Sequence, residues 1–89
     1  MKITYEGEDV LICEKEFNGE DAPVVIACSQ KAEKMLYDWQ IKYMNETGLE
    51  IGTLRTIFGL TFYAGNYEKY NVMRDFMQAS GLTVSYGHL

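Results

Sequence analysis

The chain has a single histidine, His88, one residue from its end. Imidazole chemistry, whether general-base catalysis or metal ligation, therefore has almost nothing to build on. No Gly-rich phosphate loop, CxxC pair, HExxH or EF-hand spacing occurs, so neither a cofactor nor a metal is expected. No apolar run reaches the roughly 18 residues of a membrane-spanning helix. The opening MKITYEGEDV is too acidic and too polar for a signal peptide, so a cytoplasmic location is expected. Basic residues are also scarce, with eight Lys and Arg against 13 Asp and Glu.

Only two cysteines are present, Cys13 and Cys28. A tight turn at Asn18-Gly19, where both residues tolerate positive φ, sets Cys13 opposite Val24 in a hairpin. Cys28 then lies four residues farther along, about 13 Å away at roughly 3.3 Å per residue, too far for a disulfide. Both read as buried thiols of a reducing compartment. Cys28 precedes a helix start, where a thiolate would be favoured, but no base accompanies it. The chain is expected not to be an enzyme.

The acids are unevenly placed. Residues 1–21 hold seven acids, Glu6, Glu8, Asp9, Glu14, Glu16, Glu20 and Asp21, against two bases, which accounts for the whole net charge of −5. Residues 22–89 hold six of each sign. A phosphate backbone would be repelled by the acidic end, which argues against direct nucleic-acid binding and for a basic partner. At spacing two, Glu14 and Glu16 project from one face of a strand.

The 89 residues make one domain around one modest core. The stretch from Ala22 to Gly48 is its centre. Val24-Val25-Ile26-Ala27-Cys28 is an unbroken apolar run, as in the middle of a sheet. Ser29 can cap the helix that follows, and Gly48 can close it after Thr47. That helix carries a core stripe of Ala32, Met35, Leu36, Trp39 and Tyr43, and a second stripe of Tyr37, Ile41 and Met44 that asks for a second neighbour.

Before this stretch, Met1 to Glu6 and Val10 to Phe17 read as strands, so three antiparallel strands are expected to end at Cys28. After it, Leu49 to Leu54 and Ile57 to Tyr63 read as short strands around a turn near Gly52, with a helical turn over Thr53 to Phe58 as the alternative. Asn66 caps a helix over Tyr67 to Ser80, and Leu82, Val84 and Tyr86 alternate in a last strand. From Ala22 onward the order is strand, helix, strand, strand, helix, strand. It resembles the ferredoxin-like βαββαβ sandwich, which implies an antiparallel sheet with both helices on one face. On this reading residues 22–87 form that unit and residues 1–21 an acidic β-hairpin extension.

RNA-recognition domains share that order, and Phe58, Gly59 and Tyr63 fall in register with their aromatic octamer. Thr56, Ile57 and Leu60 replace its basic, glycine and second aromatic positions, so a plain core strand is expected. The amides of Ser29, Gln30 and Lys31 are the candidate ligand site, for a small anion at a helix start. The candidate partner surface is the seven acids together with Tyr37, Ile41 and Met44. Seven tyrosines add groups suited to interfaces.

The expected function is a non-enzymatic interaction or inhibitor protein that docks an acidic surface on a basic, nucleic-acid-binding partner, with no membrane contact. In size and charge the chain is similar to phage-encoded inhibitors of defence enzymes, including anti-CRISPR proteins. The alternative is a homodimeric small-ligand-binding regulatory module, its ligand held between subunits.

Overall fold

The computed structural model describes residues 9–17 and 19–87. Along them run β1 (Val10–Phe17), β2 (Glu20–Ala27), α1 (Gln30–Thr47), β3 (Gly52–Thr56), β4 (Gly59–Tyr63), α2 (Tyr67–Ala79) and β5 (Val84–Tyr86). The fold is α+β: one five-stranded sheet in the order β3-β4-β2-β1-β5, with two helices. The expected strand over Met1 to Glu6, its turn at Gly7-Glu8 and Asn18 lie outside the described residues.

Helix boundaries follow local chemistry. The Ser29 hydroxyl accepts the Ala32 amide, and Gly48 at φ 75° returns its own amide to the Met44 carbonyl. Asn66 caps α2 by accepting the Lys69 amide. Each helix then presents its apolar stripe to one sheet face. Ala32 and Leu36 of α1 and Tyr70, Met73 and Met77 of α2 pack on Val10, Ile12, Val25, Ala27 and Phe62. Trp39 bridges the helices, its ring stacked on Tyr43 and on Phe76. The opposite sheet face carries a smaller apolar cluster of Leu11, Cys13, Val24 and Ile26.

The sheet departs from the ferredoxin-like expectation. β2, α1 and β3 make a split βαβ, with β4 inserted antiparallel between the two strands. A ferredoxin-like sheet would then place β5 beside β2. Instead β1 holds that position, antiparallel to β2, and β5 pairs with β1 in parallel from Val10↔Val84 to Ile12↔Tyr86. The sheet is therefore mixed, and residues 10–13 are an interior strand rather than part of an appended hairpin. The physical reason is the run Val10-Leu11-Ile12-Cys13, all buried, with apolar side chains on both faces. Such a segment needs neighbours on both edges as well as cover on both faces.

The β3–β4 connection also differs. The turn lies at Ile57-Phe58, not near Gly52, and closes on the Thr56↔Gly59 pair. Gly59 holds φ 136°, and a Cβ there would fall 2.3 Å from the Ala27 carbonyl oxygen. Only glycine brings β4 this close to β2.

Candidate interaction surface

The β1–β2 ladder outruns its neighbours. β4 leaves β2 at Val24↔Tyr63, and β5 leaves β1 at Ile12↔Tyr86, yet β1 and β2 remain paired to Phe17↔Glu20. Residues 14–17 and 20–23 thus form a two-stranded arm about 13 Å long at roughly 3.3 Å per residue. Gly19, at φ 83°, turns it. The register places Cys13 opposite Val24, as the turn chemistry anticipates, so Cys28 is remote and both thiols are free.

The same register sorts the acids. Glu16 stands directly opposite Asp21, and Glu14 opposite Pro23. In the alternation of the strand these three carboxylates share the face that carries the helices. Lys15 and Glu20 point to the other face. All five are exposed. Like charges directly across a ladder repel, so the Glu16–Asp21 pair weakens the arm that holds it. Ion pairs elsewhere in the fold join Lys42 to Glu46, Arg55 to Glu33 and Arg74 to Asp75.

The first turn of α2 sits beside the arm. The Tyr67 hydroxyl donates to a Glu14 carboxylate oxygen, and this bond, followed by burial and the charges of Glu14 and Asp21, raises the phenol pKa. Next to it opens a cleft of about 530 Å3, lined by Glu14, Tyr67, Tyr70, Arg74 and Tyr86 among others. The Arg74 guanidinium lies 5.9 Å from the Tyr70 ring centre. Burial, then a hydrogen bond with Tyr86, pushes the Tyr70 hydroxyl up to about 12. Tyr86 itself is 70% exposed. Sequence reasoning counted the tyrosines without locating them. Tyr67, Tyr70 and Arg74 recur at spacings of three and four on α2, a signal that was available, whereas Tyr86 joins them only through the long-range β5–β1 pairing.

The remaining candidates are distributed over other parts of the fold. Glu6 and Glu8 lie outside the described residues. Asp9 is engaged internally: its carboxylate accepts the Thr83 amide and the Ser29 hydroxyl, which, with the charge of Lys31, holds its pKa below the usual carboxylate value despite partial burial. At the start of α1, then, Ser29, Gln30 and Lys31 lie beside a carboxylate belonging to the chain itself. Cys28 donates its thiol to the Ile26 carbonyl, and burial raises its pKa, which opposes the thiolate that a helix start would favour. Tyr37, Ile41 and Met44 line a groove of about 470 Å3 between α1 and the start of β3. On the sheet face away from the helices, a cavity of about 400 Å3 lies over Cys13, Val24, Ile26 and Thr61, with Phe58 and Tyr63 at its walls.

Comparison of the chain with protein-family models, with curated proteins and with solved structures finds no match.

Proposed function

We propose that this protein works by binding rather than by catalysis, docking its acidic arm and the neighbouring tyrosine cleft on a basic protein surface. The observation that supports this most is the placement of Glu14, Glu16 and Asp21 on one face of the β1–β2 arm, with Glu16 and Asp21 directly opposed. A surface that costs stability in the free protein is relieved when a cationic partner covers it. Tyr67 and Tyr86 flank the arm with amphipathic rings suited to the centre of such an interface. Closely spaced carboxylates on a narrow arm mimic the charge spacing of a nucleic-acid strand, so the partner class is a nucleic-acid-binding protein and the effect inhibitory.

The test is capture from a bacterial lysate, with the wild type and a Glu14→Lys, Glu16→Lys, Asp21→Lys triple variant run in parallel at low and moderate salt. The expected result is a basic protein held by the wild type alone, released as salt rises, and displaced from duplex DNA by the wild type. Equal capture by the triple variant overturns the proposal.

A second reading, a homodimeric small-ligand module, rests on the cavity over Cys13 and Ile26, whose size suits a metabolite. It requires a rise in melting temperature with some member of a metabolite and nucleotide panel. No shift across the panel counts against it.

A further inference from the structure

β3 is one end of the sheet and has β4 as its single neighbour among the described strands. The two-residue turn Ile57-Phe58 closes on the Thr56↔Gly59 pair, which fixes the phase of the ladder. In an antiparallel pair the bonded residues alternate, so Thr56, Leu54 and Gly52 bond inward to β4. Thr53 and Arg55 therefore turn their amides and carbonyls outward, and β3 as a whole offers two donors and two acceptors along its outer edge.

This edge lacks the features that usually block pairing. It contains no proline, no lysine and no bulge, and the side chain at its middle, Leu54, is 59% exposed. Its one charge, Arg55, is held at 2.8 Å by Glu33 of α1, so an approaching strand meets a neutral pair. Above the same edge stand Tyr37 and Ile41, 48% and 38% exposed, the second apolar stripe of α1. The groove beneath them runs down to Gly52 and Thr53. Edge and stripe are one continuous surface.

We infer that this surface is a two-fold interface between two copies of the chain, formed by antiparallel addition of β3 to β3. A closed two-fold contact needs a patch that complements itself. The phase of the ladder meets this requirement when the axis passes through Leu54. Thr53 of one copy then faces Arg55 of the other, all four outward backbone groups of each copy are bonded, and no like charges meet. The two Leu54 side chains come together on the face away from the helices. On the helix face the two α1 helices turn their Tyr37 and Ile41 stripes toward each other across the joint. The result is a continuous ten-stranded sheet, with the acidic arms outside the contact. The inference stands apart from whatever the arms bind.

The experiment is sedimentation equilibrium of the full chain at 0.15 M salt, with crosslinking to read the register. The wild type is expected at twice the 10.2 kDa chain mass. Thr53→Pro removes an outward amide that β4 does not use, and Leu54→Lys places two ammonium groups on the axis. Both variants are expected to be folded monomers, checked by circular dichroism, while Val72→Lys on α2 remains dimeric. In mild oxidant, Leu54→Cys is expected to crosslink to its own copy, because directly opposed Cβ atoms in such a pair lie about 4.5–5.5 Å apart. Ile57→Cys is more exposed, at 90%. The proposed register puts its two copies about 20 Å apart, six residues at roughly 3.3 Å each, so it is expected to crosslink at least tenfold more slowly. A wild-type monomer at all concentrations, a dimer that survives both edge variants, or faster crosslinking at position 57 than at 54 overturns the inference.

Discussion

Replacing Glu16 by Lys is expected to make the protein more stable while it weakens the proposed binding. Glu16 faces Asp21 directly across the β1–β2 ladder. Two unit charges about 5.5 Å apart in a water-like medium repel by about 0.7 kcal/mol. The introduced ammonium would attract Asp21 by a similar amount, so the reversal spans about 1.4 kcal/mol before losses. Both native side chains are exposed. Side-chain freedom and ionic screening cut exposed pairs to a fraction of the bare value, which leaves about 0.5–1 kcal/mol. For a domain of this size 1 kcal/mol moves the melting temperature by about 4–8 °C, so a rise of about 2–8 °C is expected in 20 mM buffer. In 1 M salt the screening length falls to about 3 Å, and most of the gain should vanish. Thermal unfolding followed by circular dichroism at both salts reads this, and capture of a basic protein from lysate reads the proposed function. A melting temperature that falls at low salt, or a gain that salt leaves untouched, would refute the electrostatic account of the arm.

Three further outcomes are expected. Gly59→Ala should destabilise by about 2–6 kcal/mol, combining a positive-φ strain of about 1–3 kcal/mol with overpacking against the Ala27 carbonyl of similar size. Gly65→Ala, at φ 84° but with open space around it, should lose only the strain. Equal losses in urea unfolding would remove the close β4–β2 approach from the argument. Asp9 has a folded pKa below its ordinary value of 3.8, so the folded state favours its ionised form. The stability this adds is fully present above pH 3.8 and disappears as the pH falls through the folded value. Asp9→Asn should therefore melt below the wild type at pH 7 and approach it toward pH 2. A difference constant with pH would mean the charge contributes nothing. Cys28, half-buried and with its pKa raised by that burial, should react with iodoacetamide at pH 7.5 more slowly than in urea, and rapid native alkylation would reopen it as a nucleophile.

What the sequence disclosed depended on how far apart the deciding residues lie. The limits of α1 were legible because Ser29 and Gly48 act within one turn of the backbone they cap. Cys13↔Val24 was legible because a two-residue turn fixes register locally. From that register the placement of Glu14, Glu16 and Asp21 on one face follows by parity. The position of β1 was not obtained, although Val10 to Cys13 is as continuously apolar as Val24 to Cys28. Its parallel partner, Val84 to Tyr86, is more than 70 residues away and only three residues long, too short to announce a neighbour. The tyrosine cleft was hidden for the same reason, since Tyr86 reaches Tyr70 only once β5 is in place.

The extra strand in the sheet also explains how the acids come to be exposed on a rigid support. Had β1 been a peripheral hairpin, Glu14 and Glu16 would ride on a strand anchored only by its turn. Instead residues 10–12 are bonded on both edges and buried on both faces, and the same strand continues past the last neighbour as residues 14–17. The arm is therefore an extension of two interior strands. Its carboxylates cannot move apart by swinging the backbone, and the Glu14–Tyr67 bond ties its helix-facing side to α2. Counter-ions, a changed residue or a cationic partner can then relieve the Glu16–Asp21 repulsion. Because a partner that displaces bound cations gains affinity as salt is lowered, the number of ions released on binding should fall by about one for each arm carboxylate neutralised by mutation. That slope separates docking at the arm from docking anywhere else on the molecule.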